Sequence, residues 1–106
     1  MDFESIKIDL LKIRNELRKI SIHADVMIIF GSQAMNRARP DSDIDMAIVS
    51  RDYGKNRFKE NSELNFIAHR INPNIEAITI SLNDYLNVNA PSPILHEIKT
   101  KGIVLF

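Results

Sequence analysis

The sequence of 106 residues contains no cysteine and carries no net charge. The absence of cysteine excludes disulfide frameworks, thiolate zinc sites and thiol nucleophiles. The 14 basic residues are balanced by 14 acidic ones, which argues against a protein that coats nucleic acid. We therefore expect no direct nucleic-acid partner.

Long apolar runs and internal repeats are also missing. The first residues, "MDFESIKIDLLKIR", are charged throughout, and this predicts neither a signal peptide nor a membrane span. We expect a cytoplasmic protein with no membrane partner. A chain of this length is long enough for one core and too short for two, so residues 1–106 are predicted to form a single domain.

The apolar residues follow two periodicities. Over the first twenty residues they predict one stripe of a helix, formed by Phe3, Ile6, Leu10, Ile13, Leu17 and Ile20. A later helix is predicted to have one face formed by Leu64, Ile67, Ala68 and Ile71. Strands are predicted in "DVMIIF", "IDMAIVS", "NIEAITIS" and "IVLF". The order α, β, short α, β, α, β, α, α, β predicts an α/β (α+β) fold, a mixed sheet of about four strands flanked by helices.

Two aspartates stand at the start of the second predicted strand. Side chains two residues apart in a strand project to the same face, so Asp43 and Asp45 point together while Ile44 and Met46 point into apolar packing. Neighbouring carboxylates repel each other and raise each other's pKa. The pair becomes favourable when a divalent cation binds between them, and Mg²⁺ with a nucleoside triphosphate suits carboxylate ligands.

A third carboxylate on the next predicted strand would complete such a site. Glu76 is the best candidate, because it is an acid surrounded by apolar residues in "NIEAITI". Three carboxylates allow two ions about 3.5 to 4 Å apart, which activate an attacking hydroxyl and neutralise a leaving pyrophosphate.

The residues between the first and second predicted strands suggest a phosphate site. Gly31 ends the first strand and lets backbone approach a phosphate, and Ser32 is placed to begin a short helix whose N–H groups favour an anion. A Gly-Ser pair by itself is a weak signal and is more often an ordinary strand-to-helix turn. Arg39 has a positively charged side chain that suits a phosphate ligand. The alternative is that Arg39 is a solvated loop residue.

Taken together, these motifs resemble the DNA polymerase beta type nucleotidyltransferase superfamily. "FGSQA" and "ARPDSDIDMAI" are similar to its core motif, "IEAITIS" to its third strand, and "ILHEIKTKGIVL" to its C-terminal helix and strand. More narrowly, the whole chain resembles the minimal nucleotidyltransferases, which are often antitoxins paired with HEPN-domain toxins.

The resemblance implies a role for each motif residue. Gly31 and Ser32 would hold the triphosphate, Asp43 and Asp45 would bind Mg²⁺, and Glu76 would be the third catalytic carboxylate. The implied reaction transfers a nucleoside monophosphate (NMP), here AMP from ATP, to a hydroxyl of a protein. The implied partner is a small helical HEPN toxin, and a homo- or hetero-oligomer is expected.

The chain departs from the family pattern at the third carboxylate. Many members have Asp where this chain has Glu76. One extra methylene moves the carboxylate by about an ångström, and such a displacement lowers catalytic rates. The alternative function is therefore a weak or inactive nucleotidyltransferase fold that neutralises its partner by complex formation.

Overall fold

The computed structural model describes residues 3–31, 43–89 and 92–106. Its elements, in chain order, are α1 (Phe3–Lys19), β1 (Val26–Phe30), β2 (Ile44–Ser50), α2 (Arg57–Ile71), β3 (Ile75–Ser81), α3 (Leu82–Leu86), α4 (Pro93–Lys101) and β4 (Ile103–Val104). This order confirms the predicted succession of helices and strands. The short helix predicted to begin at Ser32 lies outside the described residues.

The four strands in the described residues form one mixed sheet, as predicted, and their order in it is β3-β2-β1-β4. Strand β1 runs antiparallel to β2 and β4, whereas β2 and β3 are parallel. The register pairs Phe30 with Asp45, and Asp45 with Glu76. The end of β1 and the beginnings of β2 and β3 therefore meet at the same end of the sheet.

One face of the sheet packs against α1 and α2. The residues of β2 that point to this side are Ile44, Met46 and Ile48, all fully buried. The predicted stripe of α1 supplies Ile6, Leu10, Ile13 and Leu17 to this core, whereas Phe3 and Ile20 at its ends are exposed. On α2, Leu64 and Ala68 are buried, and Ile67 and Ile71 pack partly buried against the same cluster.

The opposite face is covered by α3 and α4. Its buried cluster consists of Ile28, Phe30, Ala47, Val49, Ile80, Leu95 and Ile98. Ser92 caps the N-terminus of helix α4, and its Oγ accepts a hydrogen bond from the Leu95 N–H at 3.3 Å. Pro93 occupies the first turn, where a missing N–H costs nothing. Asp45 alternates along β2 with Ile44 and Met46, which face α1 and α2, so its side chain lies on the α4 side of the sheet.

The outer edge of β3 is closed by two asparagines of α2. Asn65 accepts a hydrogen bond from the Ala77 N–H at 2.9 Å and donates one to the Ala77 carbonyl at 2.8 Å. Asn61 accepts one from the Thr79 N–H at 2.9 Å. These amides satisfy the N–H and carbonyl of Ala77 and the N–H of Thr79, so the edge does not offer these groups to another strand.

Within the three described ranges, none of the helices is both long and apolar enough to cross a lipid bilayer.

Candidate active site

Three predicted carboxylates lie at the end of the sheet where β2 and β3 begin. Asp45 and Glu76 are directly in register on these parallel strands, so their side chains share a face. Asp43 is exposed, immediately precedes β2 and stands two residues before Asp45. The fold therefore brings together carboxylates that are separated by more than thirty positions in the sequence.

The electrostatics of this end of the sheet centre on Asp45, which is partly buried. Burial raises the pKa of the Asp45 carboxyl above its ordinary value, and the negative charges of Glu76, Asp43 and Glu97 raise it further. Among the described residues, no lysine or arginine forms an ion pair with Asp43, Asp45 or Glu76. Such an accumulation of negative charge favours the binding of a cation.

Gly31 brings backbone against this carboxylate cluster. It follows Phe30, the residue that pairs with Asp45, and has a φ of 70°. A Cβ atom at this position would overlap Asp45 Oδ2 and lie 3.2 Å from Asp45 Cγ. Glycine is required here both for the left-handed backbone and for the close approach.

Two of the predicted site residues, Ser32 and Arg39, lie outside the described residues. Their proposed contacts with phosphates stay predictions made from the sequence. The structure places the other four, Gly31, Asp43, Asp45 and Glu76, at one end of the sheet.

Glu97 is a fourth acid near the cluster, and the sequence analysis missed it. It lies on α4 between Leu95 and Ile98, both buried against the sheet, and its charge acts on Asp45. The sequence signal was a single acid in a helix whose last turn carries lysines. Only the packing of α4 over the sheet brings the charge of this acid close enough to act on Asp45.

The carboxylates suit an oxygen-ligated cation, although they do not form a complete cage. Among residues 3–31, 43–89 and 92–106, no three His, Asp or Glu side chains are arranged around a common metal position. Mg²⁺ is usually held by one or two carboxylates together with water and substrate phosphates, so it needs no such cage. The donor set of Asp43, Asp45 and Glu76 therefore fits Mg²⁺ bound with a nucleotide.

A cavity opens on the same face of β3 as Glu76. Its volume is about 350 Å³, and it is lined by Arg57, Asn61, Ile78, Thr79, Ile80, Asp84, Ser92, Ile94 and Leu95. Ile78 and Ile80 follow Glu76 on its own face of the strand. The cavity has a size near the lower end for ligand pockets and lies along the strand that carries the third carboxylate.

The sequence matches the family model "Polymerase beta, Nucleotidyltransferase" over residues 8–106. The chain belongs to the polymerase beta nucleotidyltransferase family. This confirms the predicted superfamily, and it assigns the protein to a family of transferases that act on nucleotides. A search among curated proteins found no match.

A solved structure has the same fold as this nucleotidyltransferase. It is the crystal structure of a toxin-antitoxin with AMP-PNP, and it superposes with a TM-score of 0.62 at 20% sequence identity. The match covers 94% of this chain and 72% of that one. At this level of identity the similarity shows a shared fold.

Proposed function

We propose that this protein is a Mg²⁺-dependent nucleotidyltransferase that transfers AMP from ATP to a hydroxyl group of a partner protein. The observation that carries the proposal is the register of Asp45 with Glu76 in a nucleotidyltransferase fold. Asp43 precedes the same strand, and the Gly31 backbone approaches the same carboxylate.

Each carboxylate has its own role in the proposed site. Asp43 and Asp45 would hold Mg²⁺, and Glu76 would complete the set of ligands for a second ion. The bound Mg²⁺ would neutralise the charge of the triphosphate and of the leaving pyrophosphate. Asp45 is partly buried among other acids, and this raises the pKa of its carboxyl. A bound cation would stabilise the charged form of Asp45.

The residues around Gly31 position the nucleotide. The absence of a side chain at Gly31 lets the triphosphate approach the strand end, and Ser32 and Arg39 are proposed as phosphate ligands from their place in the sequence. These contacts orient the α-phosphate for in-line attack, which is the main contribution of a protein to phosphoryl and nucleotidyl transfer.

Glu76 serves as the general base for the acceptor. The acceptor hydroxyl oxygen bonds to the α-phosphorus of ATP, the bond from that phosphorus to the pyrophosphate oxygen breaks, and the hydroxyl proton passes to Glu76. The cavity along β3, whose lining includes Ile78 and Ile80, is proposed to bind the apolar part of the acceptor beside its hydroxyl.

A toxin is the proposed acceptor and partner. The similar solved structure is of a toxin-antitoxin with AMP-PNP, an analogue of ATP, which supports an antitoxin role and ATP as the nucleotide. The resemblance to minimal nucleotidyltransferases supports a HEPN toxin as the proposed partner class, met in the cytoplasm, with a tyrosine hydroxyl as the proposed acceptor group.

The proposal is tested by labelling a co-expressed HEPN-type partner with ATP radioactive in its α-phosphate. We expect Asp43→Asn to abolish Mg²⁺-dependent labelling while its circular dichroism stays that of the wild type. Glu4→Gln is the matched control, because Glu4 is an exposed acid on α1, and it should label normally. Unchanged labelling by Asp43→Asn would refute the metal assignment.

The second candidate function is a binding module that neutralises the partner by occlusion. Two observations favour it: Glu occupies the third carboxylate position, and the described side chains do not converge on one metal position. In this case the Asp43→Asn protein would still protect cells from the toxin. If protection is lost together with labelling, occlusion is excluded.

A further inference from the structure

Helix α2 carries two phenylalanines on the side that faces away from the core. Phe58 is 84% exposed and Phe66 is 66% exposed, whereas Leu64 and Ala68 of the same helix are buried. Helices on the surface of a protein normally keep large apolar residues on the buried side only. An exposed pair of aromatic rings on one helix indicates an interaction surface.

The two rings are arranged symmetrically about Ser62. Ser62 lies four residues after Phe58 and four residues before Phe66, so the three side chains form one stripe. Each ring lies about 6 Å from Ser62 along the helix axis. Beside the stripe is an open groove of about 640 Å³, lined by Arg57, Phe58, Asn61, Ser62 and Asn65.

We infer that this stripe binds a second copy of the same chain, with the two α2 helices antiparallel around a two-fold axis at Ser62. In this arrangement Phe58 meets Phe66 of the partner subunit, and the reciprocal contact forms at the same time, as two-fold symmetry requires. Ser62 is small, so the two helices can approach closely where they cross.

The charges beside the stripe complement each other in the same arrangement. Lys59 and Glu63 are exposed, and neither has an ion pair within the described parts of the chain. In an antiparallel pair the same flank of each helix faces its counterpart. Lys59 then lies within about 3 Å, along the axis, of Glu63 of the partner subunit. Two reciprocal ion pairs result, and a parallel pairing would lose them.

The area of the stripe predicts a weak dimer. The exposed parts of the two rings amount to about 300 Å² on each protomer, since a phenylalanine buries roughly 200 Å². Specific interfaces bury about 1,200 to 2,000 Å² in total. The rings of both protomers supply about half of the lower limit, and the flanking residues of α2 supply the remainder. Pairing through the edge of β3 is disfavoured because Asn61 and Asn65 already occupy its backbone groups.

A single introduced cysteine tests the position of the axis, because the chain has no cysteine of its own. A residue on a two-fold axis meets its own copy, so we expect Ser62→Cys to form a disulfide-linked dimer under mild oxidation. The matched control is His69→Cys on the same exposed side of α2, whose two copies would lie about 21 Å apart and should not cross-link. Equal cross-linking at the two positions would overturn the inference.

A second measurement tests the contribution of the rings. Sedimentation velocity should show a dimer that dissociates on dilution, and Phe66→Ala should raise its dissociation constant at least about tenfold, because symmetry removes the ring from both halves of the interface. Leu86→Ala is the control, since Leu86 has the same exposed fraction of 66% but lies on α3. A wild-type monomer at every concentration, or equal effects of the two substitutions, would overturn the inference.

Discussion

Replacing Gly31 by alanine tests the two reasons for a glycine at the end of β1. The backbone there has a φ of 70°, and a residue with a side chain pays about 1 to 2 kcal/mol for this left-handed conformation. The new Cβ would also overlap Asp45 Oδ2 and lie 3.2 Å from Cγ. The carboxylate must therefore move by on the order of 1 Å, a displacement that can cost about a hundredfold in rate.

Gly54→Ala provides a matched control for the backbone part of this effect. Gly54 also has a positive φ, 109°, and a Cβ there would lie 3.0 Å from the Cβ of Ser81, outside the carboxylate cluster. We expect both variants to lower the free energy of unfolding in urea by a few kcal/mol at most. Only Gly31→Ala should also lower the rate of AMP transfer, by about a hundredfold.

The double variant Gly31→Ala, Asp45→Ala isolates the steric part. Without the Asp45 carboxylate the overlap disappears, so the loss of stability caused by Gly31→Ala should shrink to the backbone cost of about 1 to 2 kcal/mol. If Gly31→Ala transfers AMP at the same rate as Gly54→Ala, the approach of the backbone to Asp45 has no part in the reaction and the reasoning is wrong.

Two further predictions concern the stability of the fold. Asn65→Leu leaves the N–H and carbonyl of Ala77 without their partners and should lower the free energy of unfolding by about 2 kcal/mol, with more aggregation in light scattering. Asn65→Asp, which still accepts but no longer donates, should fall between Asn65→Leu and the wild type, and equal stability of all three would contradict the closure of the edge. Side-chain hydrogen bonds from Arg51 hold the pKa of Asp25 below its ordinary value of 3.8, so their stabilisation is present above that pH and disappears as the pH falls. Asp25→Asn should therefore lower the urea midpoint more at pH 7 than at pH 3, and a loss that is independent of pH would show that the charge is not involved.

Local sequence patterns were sufficient to predict the helices and strands of this fold. The alternation of three and four residues in α1 identified Ile6, Leu10, Ile13 and Leu17 as core residues, and all four are buried. The same pattern misplaced the ends of the stripe, Phe3 and Ile20, because periodicity does not tell where a helix extends beyond the sheet that covers it.

Within the candidate site, the sequence limited the choice of residues, and the sheet determined which of them meet. The spacing of Asp43 and Asp45 places them on one face of any strand, and a glycine at the end of β1 is visible in the sequence. The proximity of Glu76 to Asp45 depends on the parallel register of β2 and β3. That register depends on packing between distant segments, which local periodicity does not encode.

The sequence by itself determined which segments are helices and strands, which carboxylates share a strand face, and the family resemblance that the family model then confirmed. Tertiary structure alone decided that the charge of Glu97 acts on Asp45, that Asn65 bonds to the edge of β3, and that Phe58 and Phe66 remain outside the core. The physical reason is that a side chain's chemistry is local, whereas its burial and its charged neighbours are set by segments far away in the chain.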